Sequence, residues 1–282
     1  GRYSDSGNLS RLTGDYDWQR LRMVWGDLTD GQALSGLCEG MDVVVNFAAK
    51  TFVDHSLKDR QPFIESNIIG ADNLMEDAAR YGVKRFIQVS TDEVYGQILK
   101  GAYREDALLN PRNCYAWSKA CSDLNAIQRY QTYGFPCIIT RTENNFGPYQ
   151  HRQKVLPTFV RSALGNVPLP VYGDGQHVRC WLYVEEHCRA IWHLIKHGES
   201  GEIYHIAGEQ EMTNLELAKL VLRALDKPED RIRHIDDHNV RPGHDRRYAL
   251  DCAKLRATGF DIKQDLLPLL TKTVTWYANH QD

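Results

Sequence analysis

A chain of 282 residues with 42% hydrophobic and 25% charged positions has the composition of an ordinary folded protein, long enough for one large α/β unit or a large unit with a smaller one appended. Its formal net charge of −3 gives no reason to expect a nucleic-acid partner or an anionic membrane surface. No apolar run reaches the length of a membrane span and no signal-peptide pattern is read, so the expectation is a cytoplasmic protein. Its seven scattered cysteines, without C-x-x-C, read as reduced thiols rather than a disulfide framework or a zinc site.

Taken in order, residues 1–17 are polar and read as loop. Residues 21–25 (LRMVW) read as a strand ending at Gly26-Asp27, and Thr29-Asp30 can cap a short helix to about Cys38. Residues 41–49 are the clearest strand, and the small residues at its end let a flat ligand lie close to the backbone. Helical spacing of Phe63, Ile64, Ile68, Leu74, Met75 and Ala78 predicts a helix over 62–81, with Gly82 as its stop. Strand 85–89, helix 114–133 ending at Gly134, and strand 136–141 continue an alternation that means right-handed crossovers and a parallel sheet. After Gly147-Pro148 come a helix over 155–164, a Gly/Pro-rich stretch over 165–175, a strand over 178–182 and a helix over 184–197. A strand over 203–206, a helix over 214–225 and a last helix around 271–277 follow, with no repeats or low-complexity tracts.

Two motifs stand out. Ser90-Thr91-Asp92-Glu93-Val94-Tyr95-Gly96 places two carboxylates where a strand ends, the usual place for a site in an open α/β sheet. Tyr115 and Lys119 are four apart on a helix and so share one face, where an ammonium lowers the pKa of a phenol and makes it a base near neutral pH. Either feature alone is common by chance; the order of apolar strand, acidic pair, polar loop and Tyr/Lys helix points to a site.

With these pieces placed, the chain resembles the extended short-chain dehydrogenase/reductase superfamily, and within it the nucleotide-sugar 4,6-dehydratases, from about Gly26 to the last helix. The resemblance rests on Asn46-Phe47-Ala48-Ala49 followed by Val53-Asp54, on Ser90 to Gly96, and on Tyr115 with Lys119. It continues through Asn144-Asn145-Phe146-Gly147-Pro148-Tyr149-Gln150, Pro170-Val171-Tyr172-Gly173, Trp181-Leu182-Tyr183-Val184 and Arg241-Pro242-Gly243-His244-Asp245-Arg246-Arg247-Tyr248. It implies an α/β fold: a Rossmann-type doubly wound parallel sheet over residues 1–150, and a smaller α+β nucleotide-sugar lobe over 151–282 whose C-terminal segments partly cross back.

The resemblance also implies NAD as cofactor and C4 oxidation, loss of water across C5 and C6, and hydride return, converting dTDP-glucose or a close NDP-hexose to a 4-keto-6-deoxy sugar. Tyr115 and Lys119 would serve the C4 oxidation, Glu93 would take the C5 proton, Asp92 would protonate the departing C6 hydroxyl, and Thr91 would hydrogen-bond the C4 oxygen. Sugar 4-epimerases of the superfamily need only the hydride and usually lack the acidic pair. Asp27, Leu28, Phe47, Ala48, Ala49, Lys50, Ser66 and Asn145, with Tyr115 and Lys119, match the cofactor positions. Thr51, Thr91, Asn144, Lys154, Val155, Pro170, Tyr172, Arg179, Asn214, Arg241 and His244 match the substrate positions, and no metal is implied. A homodimer through a four-helix interface, built from helices 62–81 and 114–133, is expected as well.

Several positions depart from the family pattern: Lys50-Thr51-Phe52 stands where Glu-Ser-His is common, Asn113-Cys114 where Ser-Pro is, Glu143 where Ser is, Cys180 where Asp is, and Val240 where Asp is. No G-x-G-x-x-G or G-x-x-G-x-x-G follows a strand, although the superfamily binds the pyrophosphate on such a loop. The expectation is that a strand, a helix and a second strand, roughly forty residues by the size of a βαβ unit, belong before Gly1 and between strands 21–25 and 43–47 of the sheet. Two alternative readings stand beside the dehydratase: a catalytically silent nucleotide-sugar-binding or oligomerisation module, and an NDP-sugar 4-epimerase.

Overall fold

The computed structural model of the chain describes residues 17, 19–236 and 244–280. The elements open with β1 (Val43–Asn46), α1 (Val53–Lys58) and a continuous helical run of α2 (Gln61–Phe63), a π-helical turn (Ile64–Ile69) and α3 (Gly70–Arg80). Then come β2 (Arg85–Thr91), a 3-10 turn (Asp92–Tyr95), α4 (Cys114–Tyr133), β3 (Cys137–Thr142), β4 (Asn144–Phe146), α5 (Val155–Leu164) and β5 (Leu169–Tyr172). The rest is β6 (Val178–Tyr183), α6 (Val184–His197), β7 (Ile203–Ile206), β8 (Glu211–Thr213), α7 (Asn214–Ala224), β9 (Ile232–Ile235), α8 (Ala253–Ala257) and α9 (Leu266–Asn279).

The main sheet runs β1-β2-β3-β7 and all its pairings are parallel. Successive side chains of a strand point to opposite faces, so alternate residues of β2 and β3 feed two different cores. Phe86, Cys137 and Ile139 pack with Leu74, Met75, Ala78 and Ala126 of α3 and α4 on one side. Ile87 and Ile138 pack with Ala190, Ile191 and Leu194 of α6 and with Leu255 and Phe260 on the other. Both faces are thus covered by helices, the doubly wound α/β arrangement. A third cluster, around Phe159, Trp181, Leu217, Val221 and Leu270, joins α5, α7 and α9 over β5 and β6.

Local sequence explains several boundaries. Asn113 caps α4, its side-chain oxygen accepting the Ala116 N–H at 2.8 Å, and Gly134 ends it at φ 68°, a left-handed conformation that favours glycine. α7 opens on a capping box in which Thr213 and Glu216 satisfy each other's backbone N–H groups. α4 is tied to the sheet by a buried ion pair, Arg141 Nε to Asp123 Oδ2 at 2.9 Å, with side chains only 2% and 0% exposed.

The structure corrects three readings and adds a strand. Residues 21–25 are not a strand: none of the described residues pairs with them, and Leu21, Met23, Val24 and Trp25 stay exposed, because a strand exists only by bonding to another. Residues 29–38 form turns rather than a regular helix: Asp30 does cap them, its carboxylate taking the N–H groups of Gln32 and Ala33, but the backbone bonds that follow mostly span three residues and Gly36 sits at φ 85°. The Gly/Pro-rich stretch 165–175, assigned no element from sequence, contains β5, which among the described residues pairs only with β9, so the missing N–H of Pro170 faces no partner strand. The last helix begins at Leu266, well before the expected start.

Candidate active site

β2 delivers the acidic pair. At its end Thr91 leaves the sheet and caps the 3-10 turn, its Oγ1 accepting the Glu93 N–H at 3.2 Å and donating to Asp92 Oδ1 at 3.0 Å. Gly96 closes the turn at φ 73°, and a Cβ there would lie 2.6 Å from the Asn110 carbonyl oxygen, so only glycine fits. Thr91 and Asp92 are buried. Burial first, and the neighbouring Glu93 charge second, push the Asp92 carboxyl up to about 7. Its Oδ2 has no hydrogen-bond partner among the described residues.

Glu93 is half-buried and accepts a hydrogen bond from Asn113 Nδ2 at 2.9 Å on Oε2. Asn113 therefore aims the carboxylate with one end of its amide and caps the Tyr/Lys helix with the other. Sequence reading met Asn113 only as a departure from the family pattern; its position immediately before a helix was the available signal for a cap.

Tyr115 and Lys119 are both buried on α4. The expected lowering of the Tyr115 pKa by Lys119 is not what the structure shows. Burial, then the Glu93 charge, raise the phenol above its ordinary value, while a hydrogen bond with Thr91 works the other way. Lys119 points its Nζ at the Val89 carbonyl, 2.6 Å away, and burial lowers its pKa to about 8. The reason is desolvation, which spacing along a helix cannot report.

Two adjoining cavities meet here. One, of about 390 Å³, is lined by Ser90, Thr91, Asp92, Glu93, Tyr115 and Asn145 among others. The second, of about 210 Å³, is lined by Val155, Pro170, Tyr172, Arg179, Asn214 and His244. Thr51, Glu93, Asn144 and Lys154 border both. Lys154 donates to the Thr51 carbonyl at 3.1 Å, so it bridges from α5 to the loop after β1. Arg179 is buried, donates to the carbonyl of Asp245 at 2.9 Å and lies over the Tyr248 ring. Thus ten of the eleven expected substrate positions line this joint space; Arg241 lies outside the described residues.

The expected cofactor positions are less gathered. Asn145 and Tyr115 line the larger cavity; Phe47, Ala48, Ala49 and Lys50 follow β1 as an open ledge, with Phe47 57% exposed. Asp27 Oδ1 accepts hydrogen bonds from the N–H and hydroxyl of Thr29, and Leu28 packs against Gly70; neither lines these two cavities, nor does Ser66 in the π-helical turn. Asn67, in that same turn, was missed from sequence. Its side chain accepts the Lys50 N–H at 2.8 Å and donates to the Lys50 carbonyl and to Ser118 Oγ, fastening the ledge to α4. No group of three or more metal-binding side chains occurs among the described residues.

Residues 2–273 match the family model described as GDP-mannose 4,6 dehydratase. The chain is 40% identical to a dTDP-glucose 4,6-dehydratase of Streptomyces niveus over 98% of its own length and 82% of the relative's. A counterpart from an Actinoplanes species is 42% identical over 96% of this chain and 84% of the relative. The crystal structure of a dTDP-glucose 4,6-dehydratase from Streptomyces venezuelae with NAD and dTDP bound superposes with a TM-score of 0.95 at 41% identity, covering 99% of this chain and 86% of that one. A UDP-glucose 4-epimerase of Thermus thermophilus complexed with NAD also shares the fold, at a TM-score of 0.82 and 27% identity. With its Rossmann-type sheet, its acidic pair and its Tyr/Lys helix, the chain belongs to the nucleotide-sugar 4,6-dehydratase family.

Proposed function

We propose that the protein is an NAD-dependent dTDP-glucose 4,6-dehydratase. One observation carries the reading: Asp92, Glu93 and Tyr115 face a single cavity, with Asp92 held in the range where it still carries a proton near neutrality. A 4-epimerase needs no such acid, and the dehydratase relatives are the more similar ones.

The residues fit the cofactor's reactive end. Ser90 Oγ and Asn145 Oδ1 are buried on the cavity wall without hydrogen-bond partners among the described residues, as groups awaiting a ligand's polar atoms are. Phe47 to Lys50 form the ledge beside it and would hold the cofactor there, with Asp27, Leu28 and Ser66 as the residues for its adenosine. When bound, NAD would supply the hydride acceptor for C4 of the sugar and the hydride donor for C6.

Tyr115 takes the C4 hydroxyl proton. Its raised phenol becomes a base only with positive charge beside it, and Lys119, still largely ammonium at pH 7 with a pKa of about 8, supplies charge from its own helix. Thr91, between Asp92 and Tyr115, contacts the C4 oxygen. The C4 ketone acidifies the C5 hydrogen, and Glu93 removes it as a proton. Asp92 gives its proton to the C6 hydroxyl, which leaves as water. The proton on Glu93 exchanges with solvent, and a solvent-derived proton is delivered to C5 as the 4-keto-6-deoxy sugar forms.

Lys154, Arg179 and Arg241 are the partners for the diphosphate, where charge-assisted donors are strongest. Val155, Pro170, Tyr172, Asn214 and His244 receive the nucleoside, and Thr51 and Asn144 border the sugar. No helix among the described residues is long and apolar enough to cross a membrane. We read the enzyme as cytoplasmic, and as a homodimer through the faces of the 61–80 helical run and α4, where Ile69, Leu124, Tyr130 and Tyr133 stand exposed.

Incubation with dTDP-glucose in deuterated water, read by mass spectrometry, tests the function. Loss of water with one solvent deuterium at C5 is expected, and UDP- and GDP-glucose in parallel report the base preference. Deuterium-free product, or none, rejects the reading.

A further inference from the structure

Beside Asp92 lies a second buried carboxyl that the chemistry above leaves unused. Thr91 and Thr142 are register partners on the adjacent parallel strands β2 and β3, so Asp92 and Glu143 are the next residues along, side by side at the strand ends. Neighbouring strands lie about 4.8 Å apart. Both residues line the 390 Å³ cavity, and they are only 5% and 4% exposed. Each has one oxygen engaged: Asp92 Oδ1 with Thr91, and Glu143 Oε1 with the Leu250 N–H at 2.9 Å. Each has the other oxygen buried with no hydrogen-bond partner among the described residues.

Two adjacent buried carboxyls, each with an unsatisfied oxygen, are costly when both are ionised. A proton held between them supplies a strong donor to both free oxygens. The surroundings do not remove that need. Glu143 takes a hydrogen bond from the Cys180 thiol of β6, a weak donor, and faces Glu211 of β8, Arg247 and Cys252. Of these, the one cation, Arg247, is engaged by Glu211 in an ion pair. Asp92 faces Glu93, Tyr115, Tyr248 and Arg179, whose guanidinium is turned to backbone carbonyls. Burial and the Asp92 charge hold the Glu143 carboxyl well above the usual range.

We propose that Glu143 and Asp92 form a carboxyl pair sharing a proton between Oε2 and Oδ2, in which Glu143 is the positioning residue that keeps Asp92 protonated for departure of the C6 hydroxyl. The inference rests on the dehydratase reading for its chemistry. In each cycle Asp92 loses one proton to the departing water and Tyr115 gains one from the C4 hydroxyl. The pair regains its proton from solvent and Tyr115 releases one to it, so the balance over a turnover is nil. A pair sheds its last proton at higher pH than either acid alone, and the pH range of dehydration widens upward.

The test is the pH profile of kcat for wild type, Glu143→Gln and Glu143→Asp. Glutamine keeps the acceptor for Leu250 and removes the titrating partner. The alkaline limb of kcat is expected to move down by about one pH unit in Glu143→Gln, a loss of roughly tenfold above the limb. KM and NAD content should be unchanged, and Glu143→Asp should restore the limb. An unmoved limb in Glu143→Gln overturns the pair while leaving the dehydratase reading intact, whereas a wild-type enzyme that forms no 4-keto sugar overturns that reading instead. Infrared titration of the protonated-carboxyl band in wild type decides the pairing without turnover and without a variant that must fold. Two coupled steps are expected; a single step overturns it.

Discussion

Asn113 holds Glu93 by a 2.9 Å hydrogen bond from its Nδ2 while its Oδ1 caps the helix that carries Tyr115. One side chain thus links Glu93 to the helix that carries Tyr115. Asn113→Ala should lose the cap, about 1 kcal/mol, and free the carboxylate, lowering the melting temperature by a few degrees and kcat by about tenfold. Asn113→Asp keeps a capping oxygen but sets a like charge beside Glu93. It should recover most of the melting temperature and not the turnover; equal recovery of both would show that turnover does not need the amide bond to Glu93.

Removal of the two bases should divide the reaction. Because C4 oxidation precedes C5 deprotonation, Glu93→Gln is expected to reduce bound NAD in a single turnover while product formation falls by about 10²–10⁴. Tyr115→Phe should abolish both signals. Absorbance of the reduced nicotinamide after rapid mixing reads the difference, and equal loss in the two variants counts against the division of roles.

Asp92 links pH to both rate and stability. Burial raises its folded pKa to about 7, above the ordinary aspartate value of 3.8. Between those values the unfolded chain has released the proton that the folded chain keeps, so this group's contribution to stability falls as pH rises through that window. Asp92→Asn removes the penalty: it should melt higher than wild type near pH 8, converge with it near pH 4, and lose dehydration at every pH. Each pH unit of the window corresponds to roughly 1.4 kcal/mol, an upper bound where other groups share the charge. A variant that melts lower than wild type near pH 8 would contradict the assignment.

Lys154 is placed to bind rather than to react, with Nζ on the Thr51 carbonyl and over the Phe52 ring. Lys154→Met keeps the stem and removes the charge. KM for dTDP-glucose should rise by about tenfold with kcat nearly unchanged, the signature of lost uniform binding. A fall in kcat alone would place the lysine in the chemical step.

The buried Arg141–Asp123 pair fastens α4 to the sheet. Removing one partner strands the other charge, so Asp123→Ala should cost about 3–5 kcal/mol in denaturant unfolding. A loss below about 1 kcal/mol, the value for an exposed pair, would show that water reaches the site.

The sequence by itself determined the elements whose information is local. Helices 155–164 and 184–197 and strand 203–206 were legible to the residue, and α4 over 114–133 with its stop at Gly134, because apolar period and left-handed glycines act over a few neighbours. The acidic pair and the Tyr/Lys spacing were legible for the same reason. What depends on distant partners was not. Residues 21–25 have strand composition but no strand to bond, whereas Leu169–Tyr172 lies in a Gly/Pro-rich stretch and still pairs with Ile232–Ile235. The protonation of the site also belongs to the tertiary structure. Asp92 was given a proton to donate from the family's chemistry, but only burial beside Glu93 shows what holds it there, and burial turns Tyr115 upward despite Lys119 one helical turn away. Spacing places charges along the chain; the dielectric around them is set by everything that folds over it.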